Sequence, residues 1–452
     1  MAMEVEVAIV GGGLGGLALA IGLQERGIRA HVFEKAPKVR PHTGTVITLA
    51  ANGIKALNGI KPGLGEAFLR DGHYVNRSTL VFRHHSEPER VLHIPWPFGA
   101  LLMTPWRCAQ EVLAAEITDH TLLHWRHSFL DFTIVEGGVE ARFEVAADED
   151  TEGLPSIHTK VVRAKVLVGV DGIQSQVRKA LVGDEPRDLL LVTWNALVPA
   201  EDVRPLNLHE ERAIKFMRIT NKDREKTVFL LDAGAGLSMW LVRVPDVKGE
   251  ITKAYSQDLE HHGRDVRKVR ALRQMEGGEG LENMRSAMEG THPDAVREAR
   301  ACDRLPLTTW SDPSKRVVLL GDAAHGMYPG PGEGARTAFE DAHQLSILLQ
   351  EALDSATPET SIADAVRRGH FVITIHSIMP KLLFRYEEIR IPRTTKIQGY
   401  AAESTGWPHV IPEWVRNLSP EEKRKRDQEF VNWVKQYPEA MSGDPSSTYW
   451  KP

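Results

Sequence analysis

The sequence predicts an α/β fold: a parallel-sheet domain interrupted by an inserted antiparallel-sheet domain and followed by a helical C-terminal segment. Three observations predict it. A strand–glycine turn–helix–strand pattern opens the chain. Strand-like alternation without long helices then runs from Leu189 to Val244, and a second strand–turn–helix pattern begins at Arg316. Because the first pattern returns after the alternating region, the first domain is predicted to be discontinuous.

The first domain is predicted from short apolar runs and turn residues. Val5–Val10 is nearly continuous in apolar residues, which is typical of a parallel strand covered on both faces. Gly27 stands at a C-cap position for the preceding helix. The predicted elements that follow this strand are the helix Leu14–Arg26, the strand Arg29–Glu34, the helix Met103–Ile117, the hairpin Phe129–Phe143 and the polar loop Asp148–Ser156.

The second domain and the C-terminal segment have different patterns. Four candidate antiparallel strands lie between Leu189 and Val244, and a charged, helix-prone stretch follows over Asp258–Ala301. A strand at Arg316–Gly321 and a helix at Ala335–Leu349 return to the first domain. Ser419-Pro-Glu-Glu422 predicts a capping-box helix that runs to about Gln436. The predicted domains are 1–180 with 300–365, 181–299 (which part of 72–100 can join) and 366–452.

Composition and charge bound the function. The chain has 452 residues, 42% hydrophobic and 26% charged, as in soluble globular proteins. A net charge of −5 gives no reason to expect a nucleic-acid partner. Two cysteines, Cys108 and Cys302, predict neither a disulfide framework nor a cysteine-rich metal site. No metal-ligand spacing, signal peptide or apolar run of about 20 residues is found. We therefore expect a cytoplasmic protein without a metal or a membrane span.

The first motif is a dinucleotide-binding fingerprint in a Rossmann-like setting. Gly11-Gly-Gly13-Leu14-Gly-Gly16 lies between a predicted strand and a helix. Glycines let the backbone approach a pyrophosphate, whose charge rests on the helix N-terminus. Glu34 ends the second strand 18 residues after Gly16, where a carboxylate can accept hydrogen bonds from ribose hydroxyls.

The second motif follows an apolar strand in the middle of the chain. Val166–Val170 is followed by Asp171-Gly172, and Ser175 and Arg178 lie on the next predicted helix. The segment suggests a flavin that also meets a pyridine nucleotide. The alternative is an ordinary strand end capped by a turn, with Arg178 a solvated helix charge.

The third motif is another strand that meets a turn. Gly321-Asp322 follows an apolar run, and Pro329, Gly332 and Gly334 lead into the helix that begins at Ala335. An aspartate here can accept a hydrogen bond from a ribityl hydroxyl, while the helix N-terminus faces the flavin. The alternative is an ordinary strand–turn–helix, which the two preceding motifs make less favoured.

The ordered set of motifs resembles the FAD-dependent aromatic hydroxylases (group A flavoprotein monooxygenases), in particular the salicylate hydroxylase-like branch. The resemblance covers most of residues 5–405. It includes weaker matches at Gly44-Thr-Val46-Ile, at Arg107, at Arg304–Trp310 and at Tyr386–Arg393. Asp171-Gly172 falls where the family's motif serves both FAD and NAD(P)H. The resemblance implies FAD contacts at Gly11, Gly13, Leu14, Gly16, Glu34, Lys35, Val46, Arg107, Asp171, Asp322, Gly332, Gly334 and Ala335.

The reaction implied by the resemblance is monooxygenation. NADPH or NADH reduces FAD, O2 adds to form a C4a-hydroperoxyflavin, and one oxygen atom passes to an aromatic or other electron-rich small molecule. The implied partners are that small molecule, O2 and NAD(P)H, acting on a monomer or homodimer. Two alternatives stay open: an epoxidase on the same scaffold, and a non-oxygenating flavin redox sensor.

Three residues are candidates for the catalytic site. Pro329 and the glycines after it suit a cavity that must exclude water. Asn195 lies in Trp194-Asn195-Ala196, where many relatives have Trp-Arg-Gly, and the missing arginine argues against the usual acidic phenol as substrate. Trp240, like Trp194 and Phe216, is a candidate apolar wall.

Polar residues near the expected site complete the predictions. Candidates for a base or cation on the second sheet are His209, Arg212, Lys215 and Arg243, although strand alternation makes each more typical of a surface position. His325 is interpreted as structural rather than as a proton shuttle. Where the family usually has G-Q-G-x-N, this chain has Glu333 and Arg336, which places a carboxylate and a guanidinium near the expected flavin edge.

Overall fold

The computed structural model describes residues 2–39, 45–75, 77–84, 87–95, 100–149, 155–202, 213–221, 224–276, 282–356, 370–405 and 410–439. The strands are β1 (Met3–Val10), β2 (Ala30–Glu34), β3 (Val46–Leu49), β4 (His73–Val75), β5 (Arg77–His84), β6 (Glu87–Pro95), β7 (Leu101–Pro105), β8 (Leu123–Trp125), β9 (His127–Val135), β10 (Gly138–Glu149), β11 (Pro155–Gly169), β12 (Arg187–Pro199), β13 (Ala213–Asn221), β14 (Arg224–Gly234), β15 (Leu237–Pro245), β16 (Arg297–Asp303) and β17 (Val317–Leu319).

The helices connect these strands and form the C-terminal segment. They are α1 (Leu14–Gln24), α2 (Ala51–Ile60), α3 (Leu64–Ala67), α4 (Trp106–Ala115), α5 (Gln176–Val182), α6 (Glu250–Lys253), α7 (Tyr255–His262), α8 (Val266–Arg273), α9 (Glu282–Gly290), α10 (Asp322–His325), α11 (Gly334–Ala356), α12 (His370–Glu403), α13 (Glu413–Arg416) and α14 (Pro420–Val434).

The first sheet has the strand order β8-β2-β1-β11-β10-β9, with β17 also paired to β11. The β8-β2-β1-β11 and β11-β17 pairs are parallel, whereas β9, β10 and β11 are antiparallel. Val7, Ala8 and Ile9 of β1 are at most 2% exposed, as expected for a parallel strand covered on both faces. The carboxyl ends of the parallel strands meet at one edge, where open α/β sheets bind ligands.

Two sequence predictions in this domain are corrected. The helix predicted over Met103–Ile117 begins only at Trp106, because Leu101–Pro105 forms β7 between β3 and β4. The loop predicted over Asp148–Ser156 is shorter, since β10 runs to Glu149 and β11 begins at Pro155.

The second sheet has the order β16-β12-β15-β14-β13-β5-β6. Its central strands β12 to β15 confirm the alternating pattern between Leu189 and Val244. β5 and β6 join from the segment between β4 and β7, with β5 parallel to β13. The helix-prone stretch was extended too far: Arg297–Asp303 is a strand, because it pairs with the free edge of β12 and satisfies its backbone there.

The two faces of the second sheet pack on different partners. One face carries Trp194 and Trp240 and packs on α8 and α9, where Met284 and Met288 are buried. The other face carries residues such as Met239 and Leu241 and packs on Val75 and Met103 of the small β3-β7-β4 sheet. Because β7 of the small sheet leads directly into α4 of the first domain, the second face is the one turned toward that domain.

The insertion that contains β12 to β16 begins and ends at one place. Arg187 and Asp303, opposite each other on β12 and β16, form an ion pair at 2.6 Å. Just outside them, the Arg304 guanidinium donates to the backbone oxygen of Asp184 at 3.1 Å and to its carboxylate at 3.2 Å. Two adjacent ion pairs therefore close the base of the insertion.

The C-terminal segment is helical where the structure describes it. Ser419 and Glu422 form the predicted capping box, with the Glu422 carboxylate accepting from Ser419 N at 2.7 Å. α14 packs Phe430 and Val431 on α12 near Ile397. None of the helices in the described ranges has the length and apolar character that crossing a bilayer requires.

Candidate functional site

The fingerprint turn between β1 and α1 is closely packed on one side and open on the other. Gly11 has φ +114°, and a Cβ on Gly16 would lie 1.9 Å from the Gly11 carbonyl oxygen. A Cβ on Gly13 would meet no protein atom within 4 Å. Gly13 is also the N-cap of α1, with no side-chain cap and no acidic residue in the first helical turn. The open side therefore presents helix N–H groups to an anion.

Glu34 is held next to this turn by backbone donors. Its carboxylate accepts from Gly12 N at 2.7 Å and from Ala36 N at 2.9 Å, and the residue is buried. Leu14 is also buried at the start of α1, whereas Lys35 is exposed. The carboxylate that was predicted to bind a ribose thus lies at the carboxyl end of β2, with its position fixed.

A cleft of about 550 Å³ lies at the same edge of the sheet. Trp125, which pairs in register with Glu34, lies on its wall. Arg107 lines the cleft from the first turn of α4, and its Nε is 3.6 Å from Glu111 Oε1. The other lining residues are Lys38, Val39, Ala114, Ala115, His120 and Leu123. No group of histidines, cysteines and carboxylates within the described ranges could hold a metal ion.

Asp171 uses its carboxylate to begin α5. Oδ1 accepts from the Ser175 hydroxyl at 2.5 Å, and Oδ2 accepts from the backbone N–H of Gln176 and Val177 at 2.7 and 3.2 Å. Burial raises the pKa of this carboxyl, against the opposing effect of these hydrogen bonds. Gly172, with φ +84°, lets the chain turn between the strand and the helix. A contact between Asp171 and FAD stays a prediction.

Arg178 is not a solvated helix charge, and that alternative is wrong. The side chain is fully buried, and its guanidinium forms an ion pair with Asp184 at 2.5 Å. It also donates to the carbonyl oxygens of Ala324 at 2.7 Å and Leu305 at 3.1 Å. Burial of a charge requires such partners. Arg178, in the second motif, therefore binds the backbone of the third motif at Ala324.

The third motif follows β17 at the carboxyl edge of the parallel strands β2, β1, β11 and β17, and this edge is called the cofactor groove below. Asp322 is exposed to solvent on one side. The surrounding protein nevertheless desolvates its carboxyl group, which raises the pKa of that group. A Cβ on Gly334 would lie 3.6 Å from Asp322 Oδ1, so the first residue of α11 lies beside the carboxylate. Gly332 has φ +72°, Pro329 is exposed, and Ala335 is half-buried.

Glu333 and Arg336 are both fully buried and bind each other at 2.5 Å. Arg336 also donates to the backbone oxygen of Thr48 at 2.8 Å and to its hydroxyl at 2.9 Å. The Asn52 amide donates to Glu333 at 3.0 Å. The pair therefore joins the loop before α11 to β3 and α2. Val46, the first residue of β3, is half-buried.

His325 has a structural environment, as predicted. It is fully buried, its Nε2 lies 2.5 Å from Asp341 Oδ2, and its ring lies 5.3 Å from that of Trp310. Asp341 in turn accepts from Arg390 Nε at 2.6 Å. Such a buried chain of ion pairs fixes the helix α11 relative to α10 and α12.

The second sheet divides the predicted substrate residues between its faces. Trp240 does not lie on the face turned toward the first domain, so the structure gives no support to its predicted role as a wall of the site. It is fully buried on the face that packs on α8 and α9, and its Nε1 donates to Thr291 at 3.0 Å. Trp194 lies on the same face. Asn195, the next residue, therefore lies on the face turned toward the first domain, where it is 8% exposed.

Arg243 lies on that inner face and contacts the third motif. Its Nε donates to the Thr193 hydroxyl at 3.3 Å, and its Nη1 donates to the Tyr328 hydroxyl. Tyr328, buried and directly before Pro329, was not predicted from the sequence; its position next to that proline was the available signal. His209 and Arg212 lie outside the described residues, as do the side chains of Lys215 and Phe216.

These features fit FAD. The uncapped start of α1 and the open space at Gly13 suit a pyrophosphate, and the fixed Glu34 carboxylate suits a ribose. Asp322 supplies an accessible carboxylate at the opposite end of the groove, beside the N-terminal residue of α11. The groove thus offers acceptors and donors at both ends of a long dinucleotide.

Comparison with known proteins agrees with this arrangement. A family model described as an FAD binding domain matches residues 4–271 and 288–373. The 3-hydroxybenzoate 6-hydroxylase of Klebsiella oxytoca is 27% identical over 96% of this chain and 97% of its own length. The chloroplastic zeaxanthin epoxidase of Oryza sativa subsp. japonica is 25% identical over 87% of this chain and 54% of its own length. The crystal structure of Klebsiella pneumoniae HpxO with FAD and uric acid superposes with a TM-score of 0.64 at 18% identity, covering 98% of each chain.

Proposed function

The chain belongs to the FAD binding domain family, and from this premise we propose that it is a monooxygenase that uses FAD and NAD(P)H to insert one atom of O2 into an aromatic or other electron-rich small molecule. The observation that carries the proposal is the loop between Asp322 and Gly334. At one end it offers a carboxylate to the cofactor groove, and in its middle Tyr328 contacts Arg243 of the second sheet. A molecule bound on that sheet would therefore lie beside a cofactor bound on the loop.

The residues of the groove have distinct roles in this proposal. FAD supplies the electron transfer and oxygen activation when it is bound. The N–H groups at the start of α1 would hold the pyrophosphate, Glu34 would hold the adenosine ribose and Asp322 would hold the ribityl chain. Arg107, in the cleft wall, adds positive charge near the phosphates.

The loop and the sheet exclude water from the reacting atoms. Pro329 and Gly332 contribute no polar side chain, and Leu241 and Phe229 line the inner sheet face with apolar surface. Dry surroundings would strengthen every polar contact to the substrate and limit the loss of activated oxygen as hydrogen peroxide.

The named relatives support a planar aromatic substrate. The 3-hydroxybenzoate 6-hydroxylase acts on an aromatic acid by its name, and it matches almost the whole chain. The match to a zeaxanthin epoxidase favours epoxidation as the second candidate function. The two cysteines, which are free thiols, support a reducing compartment such as the cytoplasm. The protein is proposed to act as a monomer or homodimer.

The test is a screen of purified, FAD-loaded protein against phenols, indoles and polyketide aromatics. We expect yellow protein in which at least one compound accelerates NAD(P)H consumption and gains 16 mass units. An epoxide, distinguished from a phenol by its ready hydrolysis to a diol, would favour the second candidate. Colourless protein after FAD reconstitution would refute both functions.

A further inference from the structure

A chain of buried polar side chains runs beside α11, from the helix α14 to the loop that precedes α11. It includes three carboxylates and three guanidinium groups, and each of these six residues is 0% exposed. They are Glu333, Glu340, Asp341, Arg336, Arg390 and Arg393. Buried ion pairs often add no more stability than well-packed apolar side chains of similar volume, so stability alone does not explain such a set.

The first end of the chain lies at the cofactor groove. The Arg336 guanidinium, which pairs with Glu333, donates to the backbone and hydroxyl oxygens of Thr48. A Cβ on Gly332 would overlap that hydroxyl oxygen, so the loop lies directly against Thr48. Gly334, the first residue of α11, follows Glu333. The Glu333–Arg336 pair therefore fixes the loop that leads into α11 at the cofactor groove.

The second end of the chain lies against α14. The Glu340 carboxylate accepts from Arg393 Nε at 2.6 Å and from Arg393 Nη2 at 2.7 Å. Burial acts to raise the pKa of Glu340, but the charges of Arg393 and Arg390 outweigh it and lower that pKa. Arg393 Nη2 also donates to the backbone oxygen of Val434 at 3.0 Å, and Arg393 Cζ lies 4.7 Å from the centre of the Trp433 ring. The orientation of Arg393 therefore depends on how α14 is docked.

Asn52, near the start of α2, joins the two ends. Its buried amide nitrogen donates to Glu333 Oε2 and to Glu340 Oε1, each at 3.0 Å. These two carboxylates are about two helical turns apart and lie on one side of α11, so a single amide places a donor between them. The opposite orientation of the amide would bring its oxygen against both carboxylates. Their charges therefore fix the nitrogen on this side.

The oxygen of the same amide provides an independent observation. Asn52 Oδ1 is buried and accepts no hydrogen bond from any described residue. A buried acceptor without a partner destabilises a fold, so local stability does not account for an asparagine at this position. An apolar side chain of similar shape would avoid that loss, but it would offer neither carboxylate a donor. Asn52 is thus suited to join the two ends of the chain.

We infer that Asn52 is a positioning residue, which transmits the docking of α14 to the loop at the cofactor groove. The inference rests on the proposed function and deepens it, because it requires FAD in that groove. With α14 docked, Arg393 orients Glu340. Asn52 carries this orientation to Glu333, whose partner Arg336 holds the loop. Without that docking the loop loses a support, and the bound flavin is held less firmly.

The experiment is a double-mutant cycle on the full-length protein. Trp433→Leu, which removes the ring over Arg393, is made in the wild-type and Asn52→Ala backgrounds. Asn52→Ala leaves Glu333 paired with Arg336 and Glu340 paired with Arg393. Titration of the apoprotein with FAD gives Kd. The absorbance maximum of the bound flavin is a second readout, which a loss of global stability does not move.

The expected result is a loss of the Trp433 effect when Asn52 is absent. In the wild-type background Trp433→Leu should raise the FAD Kd by about three- to thirtyfold and shift the flavin absorbance maximum. In the Asn52→Ala background it should change Kd by less than about twofold and leave the maximum in place. Transmission through the backbone of α11 instead would give the same factor in both backgrounds, and that result overturns the inference.

Trp414→Leu is the matched control. It removes another tryptophan that contacts α14, where the Arg426 guanidinium lies 4.4 Å from its ring centre. It should leave the FAD Kd within about twofold in both backgrounds, whatever its effect on the Tm of the apoprotein. Tyr437→Phe, which removes a hydroxyl bonded to His343 and Gln344 of α11, replaces Trp433→Leu if that variant does not fold.

The remaining outcomes separate the inference from the proposed function. No change of the FAD Kd in the wild-type background overturns the inference, as does an equal change with Trp414→Leu. Protein that binds FAD but gives either result leaves the proposed function standing. Protein that binds no FAD refutes both.

Discussion

Gly13 offers the sharpest test of where the cofactor lies. Its backbone is extended (φ −75°, ψ −174°), a conformation that any residue adopts, and a Cβ there would meet no protein atom within 4 Å. Gly13→Ala should therefore change the free energy of unfolding by less than about 1 kcal/mol. The added methyl would nevertheless occupy the space in front of the first N–H groups of α1.

The effect on FAD affinity can be estimated from the hydrogen bonds at risk. A hydrogen bond to a charged group contributes about 1.5–3 kcal/mol, and a tenfold change in Kd corresponds to about 1.4 kcal/mol. Displacing the pyrophosphate from one such N–H should raise the FAD Kd by about 10- to 100-fold. Titration of the apoprotein with FAD, followed by fluorescence quenching, measures this change.

Two other alanine variants serve as controls for the effect of Gly13→Ala on stability and FAD affinity. Gly290→Ala, at the end of α9, adds a methyl to equally open space far from the groove and should change neither quantity. Gly16→Ala would bring a Cβ within 1.9 Å of the Gly11 carbonyl oxygen and should destabilise the fold itself. If Gly13→Ala bound FAD as tightly as the wild type while folded, the pyrophosphate would not lie at this helix.

Three further predictions follow from buried contacts. Glu333→Gln removes the carboxylate that pairs with the buried Arg336 guanidinium and should cost about 3–5 kcal/mol in urea unfolding. Glu333→Gln combined with Arg336→Asn should recover most of this loss, and equal losses would contradict the prediction. Burial lowers the pKa of His343 to about 4, so between pH 6.5 and 4 the unfolded chain binds more protons than the folded one. The free energy of unfolding should therefore decrease as the pH is lowered from 6.5 to 4. His343→Gln should flatten the Tm profile over this range, and an unchanged slope would count against the prediction. Trp240→Phe should lower the free energy of unfolding by about 1–3 kcal/mol and leave the substrate KM unchanged, because the side chain faces α9. A changed KM would indicate that Trp240 contacts the substrate.

The sequence predicted the elements whose pattern is local. The glycine turn, the capping box at Ser419 and the alternation of β12 to β15 each depend on residues close together in the chain. Strand β16 was missed because Arg297–Asp303 is charged and becomes a strand only by pairing with β12, more than 100 residues earlier. Such pairing overrides local propensity.

The candidate site was predictable in its cofactor half and less so in its substrate half. Glu34 ends β2 and Asp322 follows β17. The carboxyl ends of parallel strands meet at one edge of a sheet whatever the conformation of the connecting loops. Trp240 and Arg243 are three residues apart on one strand, so alternation places them on opposite faces, but the sequence alone does not say which face is inward. Packing of Met239 and Leu241 against Met103 settles that choice.

The closed base of the insertion confines five strands of the second sheet, β12 to β16, to one continuous stretch of chain. Because Asp184 with Arg304, and Arg187 with Asp303, bring both ends of the insertion together, the backbone of the insertion joins the scaffold at two neighbouring points. The edge strand β13 adds a further contact, since it pairs with β5 of the scaffold. A homologous segment exchanged between positions 185 and 303 would therefore need to match the short distance between its two ends and the pairing of β13 with β5, which stays with the scaffold. The recombination points for altering the substrate range of this enzyme while keeping its cofactor groove are these two ion pairs.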